Sequence, residues 1–294
     1  MTAGLGAAAL PLPGFAADPL ITRPIQHSGE RLPVVGIGTA IVFDIGGDAA
    51  RRAERSAVLK TLVEGGARLI DTAPSYGTAE DVVGDLVAQL GLRDKVFIAT
   101  KVRVAGRDET LAEMNRSLER LKTQKVDLMQ IHNVRDPNTS LGVLREWRDQ
   151  GKTRYVGITN SNPATYDALA EVVRREKPDF LQVAYSISDR QAEERLIPTA
   201  RDAGTAVLTA LPFGRNKLFS VVRGRPLPDW AAEIGATSWA QVFLKFLISN
   251  EAVNGVIPGT DKPEYMSDNL NAGRGRLPDA ALRKRMLAYW ETLR

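Results

Sequence analysis

The chain predicts an α/β fold, a closed (β/α)8 TIM barrel of eight parallel strands alternating with helices. Three observations carry that expectation. Short apolar runs alternate with segments of helical periodicity from about residue 34 onward. Those runs are unbroken stretches rich in Val, Ile and Leu, as parallel strands buried on both faces require. Eight such units also fit into about 260 residues, the usual size of a closed barrel. An open doubly wound sheet is the alternative that shares the alternation.

Taken in order, residues 1–20 differ from the rest. The run 4–17 is short, apolar and rich in small residues, like the hydrophobic part of an export signal, but it has no basic start. It is too short and too interrupted by proline to span a bilayer. It is expected to be a leader, either part of an export signal that begins upstream or a disordered segment. The first favours an exported, periplasmic protein, the second a cytoplasmic one. Its G-x-G-x-x-A string, starting at Gly4, follows no strand and is not a dinucleotide fingerprint.

Segments 22–25 and 31–32, joined by Ser28-Gly29, predict an N-terminal hairpin. Strands are expected at 34–38, 68–72, 96–102, 126–132, 155–160, 180–186, 206–210 and 253–258. Helices are expected at 53–64, 79–90, 110–121, 140–150, 163–175, 191–203 and 238–250, with an extra C-terminal helix over 279–294. Thr78 is placed to cap the helix that opens at Ala79, with Asp81 completing an imperfect capping box. No linker divides residues 21–294, so a single barrel domain is expected.

Composition narrows the function. Apolar residues make up 44% and charged residues 25% of the 294 positions, as in an ordinary globular protein. Lys and Arg total 39 against 35 Asp and Glu, and no dense basic run interleaves with aromatics, so nucleic acid is not an expected partner. The absence of cysteine removes thiolate nucleophiles and cysteine metal sites, and two histidines, His27 and His132, are too few for a His-rich metal site. His27, beside Ser28-Gly29, is expected in an exposed turn.

Polar residues at strand ends supply the chemistry. Asp71, Lys101, His132 and Asn160 end successive predicted strands at intervals of about 30 residues, and Gln182 lies within the next. Neighbouring strands lie about 4.8 Å apart, and their carboxyl ends open on the face where barrel enzymes keep their sites. Asp71, Lys101 and His132 should therefore converge, with the loop 74–77 folding Tyr76 over them. A phenol is a poor proton donor near neutrality, but an adjacent ammonium favours its ionised form, and a carboxylate keeps that ammonium charged and oriented. A neighbouring imidazole can bind the same oxygen. The four suit proton delivery to a carbonyl, with hydride from a bound cofactor. Taken singly, each also has an ordinary structural reading: an ion pair in the barrel mouth, a packing aromatic, a strand-end histidine.

The chain resembles the aldo-keto reductase family in L-I-D-T-A-P-S-Y-G from Leu69, I-A-T-K from Ile98, L-M-Q-I-H from Leu128, V-G-I-T-N from Val156 and N-G-V-I-P-G-T from Asn254. The resemblance implies a tetrad of Asp71, Tyr76, Lys101 and His132, with Tyr76 as general acid in reduction. It implies nicotinamide-carboxamide contacts from Thr159, Asn160 and Gln182, and places Gly38 and Thr39 near the nicotinamide ribose. Where many members stack a tyrosine on the nicotinamide, this chain has Ala210 or Leu211, with Pro212 and Phe213 following. Gly259 and Thr260 resemble a phosphate-binding loop, and Asp268 and Asn269 match an adenine-contacting pair. Tyr265 stands where an arginine is frequent, leaving Lys262 as the cation for a 2′-phosphate. The resemblance therefore implies an NADPH-dependent reductase of small carbonyl substrates, with NADH possible, acting as a monomer. Two other readings stay open: a nicotinamide-binding regulatory or partner-binding barrel without turnover, and an aldolase-like barrel in which Lys101 forms a Schiff base. Specificity would lie in loops 40–47, 102–107, 133–139 and 217–228, where Phe43, Phe219 and Trp230 are candidate apolar walls, and Arg103 and Arg135 candidate cations.

Overall fold

Ten strands organise the computed structural model, which describes residues 18–134 and 136–293. Strands β1 (Thr22–Pro24) and β2 (Arg31–Pro33) form the antiparallel hairpin. The remaining eight are β3 (Ile37–Gly38), β4 (Leu69–Asp71), β5 (Phe97–Val102), β6 (Val126–His132), β7 (Thr153–Asn160), β8 (Phe180–Ala184), β9 (Ala206–Ala210) and β10 (Val253–Val256). All pair in parallel and in sequence order. Parallel bridges from Val35 to Val256 and from Gly38 to Gly259 join the last strand to the first, supported by Gly36 N–H donating to the Val256 carbonyl at 2.9 Å. The sheet is closed, which excludes the doubly wound alternative. The signal-like run 4–17 and Arg135 lie outside the described residues.

Two apolar layers hold the barrel together. Inside it, Leu69, Phe97, Leu128, Tyr155, Phe180, Leu208 and Ile257 pack as one cluster, with Ile25 and Leu32 of the hairpin joining them. The rings of Phe97, Tyr155 and Phe180 meet at 5.5–5.9 Å between centroids. These large side chains fill the amino end of the barrel, so the open space lies at the other end. Outside it, Ile70, Ile98, Met129, Ile158 and Val183 pack on helix residues such as Leu59, Leu86, Leu144 and Phe243. The two faces alternate along each strand, as a pleat of period two requires.

Most helices fall where the periodicity places them, and their starts follow capping chemistry. Asp48, Asp136, Ser238 and Asp279 cap Ala49–Glu64, Pro137–Asp149, Trp239–Ile248 and Ala280–Glu291 with their side chains, each such cap being worth about 1 kcal/mol. The expected helix 191–203 is two pieces, Gln191–Glu194 and Leu196–Asp202. Pro198 cannot donate to the Glu194 carbonyl, and its ring crowds that group. Arg195 at the break instead binds Asp167 and Glu171 of the helix Tyr166–Glu176. A further helix, Pro263–Ala272, follows β10. The expected cap at Thr78 does not form: its hydroxyl donates to Asp44 and accepts from Gly46 N–H. Among the described residues no helix is long and apolar enough to cross a membrane.

Candidate active site

At the carboxyl end of the strands the apolar filling gives way to a polar layer. Strand register sets Gly38 beside Asp71, Lys101 beside Gln130, and His132 and Gln182 on either side of Thr159. Lys101 is fully buried; its Nζ donates to Asp71 Oδ2 at 2.7 Å and to the Thr72 carbonyl at 2.8 Å. Asp71 Oδ1 accepts from Gln182 Nε2 at 2.8 Å and, at 3.5 Å, from Gln130 Nε2. Thr159 Oγ1 donates to Gln182 Oε1 at 3.2 Å, and Asn160 Oδ1 accepts from Asn162 N–H at 2.9 Å. One carboxylate is thus fixed from three strands.

Tyr76 completes the group from the loop after β4. Lys101 Nζ lies 4.9 Å from the centre of its ring, and the His132 ring meets it edge-on at 6.1 Å. Burial opposes the charge on Lys101, but attraction from Asp71 and Tyr76 outweighs it and raises its pKa above the ordinary 10.5. His132 moves the other way: burial first, then the charges of Lys101 and Arg103, lower its pKa to about 4. Lys101 is therefore charged and His132 neutral at neutral pH. Thr39 Oγ1, Thr72 Oγ1, Thr209 Oγ1, Gln130 Oε1 and His132 Nδ1 are buried at or beside these strand ends without a hydrogen bond in the protein. Of these, Gln130 and His132 lie on the inward face of β6 with the polar layer, whereas Thr209, one residue from inward-facing Leu208, lies on the face toward the helices.

A trench leads away from this layer. A cavity of about 260 Å³ is bordered by Gly38, Asp71, Tyr76 and the wall Ala210, Leu211, Pro212 and Phe213. A second, of about 700 Å³, is bordered by Ser238, Trp239, Tyr265, Asp268 and Asn269. Val42, Phe213, Asn216 and Gly259 border both, so the two form one elongated groove. Ile41, Leu211, Arg215 and Asn216, all on the smaller cavity, have φ between 55° and 67°, and such left-handed non-glycine residues store strain of about 1–3 kcal/mol each, characteristically at functional sites. Among the described residues, the two large apolar side chains that stand exposed, Ile41 at 78% and Tyr265 at 53%, both border the groove.

The residues expected at the far end are arranged less simply. Asn269 Nδ2 donates to Thr260 Oγ1 at 3.0 Å beneath the groove. Asp268 already accepts from Ser238 Oγ and Gln241 Nε2, both at 2.6 Å. Lys262 Nζ lies 5.6 Å from the centre of the Tyr265 ring, so its charge rests on that aromatic face. Of the apolar candidates, Phe219 borders the groove, whereas Phe43 and Trp230 are core residues. Arg103 is exposed, with its backbone N–H on Glu113. His27 sits in the exposed turn as expected, with its Nδ1 2.8 Å from Asp179 Oδ1. Three participants went unread in the sequence. Gln130 lies two residues before His132, on the same strand face, and the period of two could have found it. Arg223 and Ile41 are on loops and carry no such signal.

A buried Lys–Asp pair, a phenol and an imidazole thus meet at the mouth of a (β/α)8 barrel, beside a long groove. Residues 34–284 match the family model described as Aldo/keto reductase family. Aldo-keto reductase YhdN of Bacillus subtilis is 31% identical over 197 residues, 60% of this chain and 57% of that one. Methylglyoxal reductase YeaE of Escherichia coli is 32% identical over 237 residues, covering 78% and 82%. An NADH-specific methylglyoxal reductase of the same organism is 28% identical over 241 residues, covering 71% and 72%. The crystal structure of an aldo-keto reductase from Klebsiella pneumoniae in complex with NADPH has the same fold, with a TM-score of 0.75, 24% identity and coverage of 94% and 95%. The chain belongs to the aldo/keto reductase family and is an oxidoreductase.

Proposed function

We propose that this protein reduces small aldehydes or ketones with NADPH, and that Tyr76 delivers the proton. The observation that carries the reading is the Lys101 ammonium, held at 2.7 Å by Asp71 and lying 4.9 Å from the Tyr76 ring at the head of the groove. The groove suits a dinucleotide: it is long, partly apolar, and opens at one end on Asp71 and Tyr76. Gly38, Thr39, Thr159, Asn160, Gln182, Pro212 and Phe213 would hold the nicotinamide end. Gly259, Thr260, Lys262, Asp268 and Asn269 would hold the adenosine end, with Arg223 bordering it. When bound, the nicotinamide supplies hydride to the carbonyl carbon.

The rest falls to the protein. Tyr76 gives its hydroxyl proton to the carbonyl oxygen, and the Lys101 charge stabilises the phenolate left behind. Asp71, fixed by Gln182 and Gln130, keeps Lys101 charged and aimed. His132, neutral, hydrogen-bonds the same oxygen and orients the carbonyl. In the reverse direction the Tyr76 phenolate takes the proton back. Because Lys101 keeps its proton, it lacks the free amine that Schiff-base chemistry needs. The cations Lys262 and Arg223 favour a 2′-phosphate, and hence NADPH over NADH.

Trp239 borders the groove and reports on occupancy. Titration with NADPH and with NADH should quench its fluorescence, NADPH at the lower concentration, and the NADPH complex should turn over a small aldehyde. No quenching by either nucleotide, or binding without turnover across a panel of aldehydes and ketones, would overturn the reading.

A further inference from the structure

Asp44 lies in the loop between β3 and the helix Ala49–Glu64, away from the polar layer. Its neighbours Phe43 and Ile45 are buried in the core and anchor the loop. Asp44 itself is exposed, yet its Oδ1 accepts from both Thr78 N–H and Thr78 Oγ1, each at 2.9 Å. Thr78 Oγ1 in turn accepts from Gly46 N–H at 2.9 Å. Three hydrogen bonds therefore clasp the loop after β3 to the loop after β4. Both loops face the site, since Ala40, Ile41 and Val42 border the smaller cavity together with Tyr76.

The clasp closes two residues beyond Tyr76. Gly77, between them, has φ of +59°, and a Cβ there would stand 2.3 Å from the Asp44 carboxylate. Tyr76 N–H donates to the Ala73 carbonyl at 3.1 Å, and the Tyr76 carbonyl accepts from Ala79 N–H at 3.1 Å. The tyrosine thus rides on a tight turn whose outer edge is held by Asp44. Both bonds from Thr78 favour the charged carboxylate, the backbone one most, so Asp44 stays ionised at neutral pH.

We propose that Asp44 is a positioning residue: through Thr78 it fixes the loop that carries Tyr76 and holds the phenol at the distance proton transfer needs. The inference rests on the reading of Tyr76 as proton donor. Small displacements of a reacting group are costly, a misplacement of about 1 Å reducing rates by about a hundredfold. An ordinary surface bond would instead affect only stability.

The test combines Asp44→Ala, Asp44→Asn and Tyr76→Phe in the full chain, with kcat at saturating cofactor, cofactor Kd and thermal unfolding read together. Asp44→Ala should lower kcat about tenfold or more and shift cofactor Kd only about threefold. Asn keeps an oxygen where Oδ1 stands and should recover most of the rate. On residual turnover in the Tyr76→Phe background, Asp44→Ala should add little, because the group it positions is gone. Thr78→Val, which keeps only the backbone bond, should fall between wild type and Asp44→Ala, and serves as the probe if Asp44→Ala does not fold. Wild-type kcat in Asp44→Ala, no recovery in Asp44→Asn, or equal losses in both Tyr76 backgrounds would overturn the inference while leaving Tyr76 as donor. Full activity of Tyr76→Phe would overturn the proton-donor reading, and this inference with it.

Discussion

Lys101 lies beneath Tyr76, its ammonium 4.9 Å from the ring centre, with no room for solvent around the lysine. A buried ammonium is costly on its own, and its desolvation has to be offset by a partner. Asp71 supplies that partner at 2.7 Å, and the lysine then has its remaining influence on the phenol above it. The carboxylate borders the smaller cavity and also keeps the lysine charged.

Asp71→Asn is therefore expected to cost more than the pair is worth. Removing one member of a buried ion pair leaves an uncompensated charge, which destabilises by about 3–5 kcal/mol. Because the folded pKa of Lys101 is raised, its charge contributes stability that is complete below the unfolded value of 10.5 and is lost as pH climbs through the higher folded value. Urea unfolding across alkaline pH should show a decline in the wild type beyond 10.5 that Asp71→Asn lacks. Equal stability of the two proteins at neutral pH would contradict the assignment.

His132 should titrate at about 4 in the folded protein, against 6.5 unfolded. Stability linked to this group is present in full above 6.5 and falls as pH drops from there through about 4. With only two histidines in the chain, a His27→Asn variant leaves one imidazole for NMR titration. A ring that protonates near 6.5 would show that burial and the Lys101 charge do not act on it as described.

Gly84 lies on the helix Ala79–Gln89 that follows the Tyr76 loop, and a Cβ there would stand 2.2 Å from the Arg120 carbonyl. Backbone cannot yield cheaply, so Gly84→Ala should cost about 1–3 kcal/mol by overpacking. Thermal unfolding measures this directly, and an unchanged midpoint would mean that this helix and the helix Arg107–Arg120 can separate without loss.

Much of this arrangement was legible in the sequence. Asp71, Lys101 and His132 end strands one β/α unit apart, and the closed parallel register brings them together as that spacing demands. What was not legible depends on contacts between distant segments. Thr78 has the chemistry of a cap, but Asp44, thirty-four residues earlier, takes its hydrogen bonds. The helix expected across 191–203 has a continuous apolar pattern that outweighed Pro198, and the proline broke it. Arg223 borders the groove because the segment after β9 folds back over it, and no local pattern encodes that return.

Arg223 makes no ion pair among the described residues and borders the larger cavity beside Asp268 and Tyr265. If that end receives a 2′-phosphate, Arg223→Ala should weaken NADPH binding about tenfold and NADH binding little, since a charged hydrogen bond contributes about 1.5–3 kcal/mol. Equilibrium binding of both nucleotides to the variant decides it. Equal losses for the two would assign Arg223 to a part of the dinucleotide that they share.

The most direct test of the account is kcat for carbonyl reduction by Tyr76→Phe at saturating NADPH, with nucleotide binding measured on the same sample. The account predicts a fall of about a thousandfold, with cofactor Kd within about twofold of wild type because the phenol oxygen serves the substrate and not the nucleotide. A variant that binds NADPH and reduces aldehydes at the wild-type rate would contradict it.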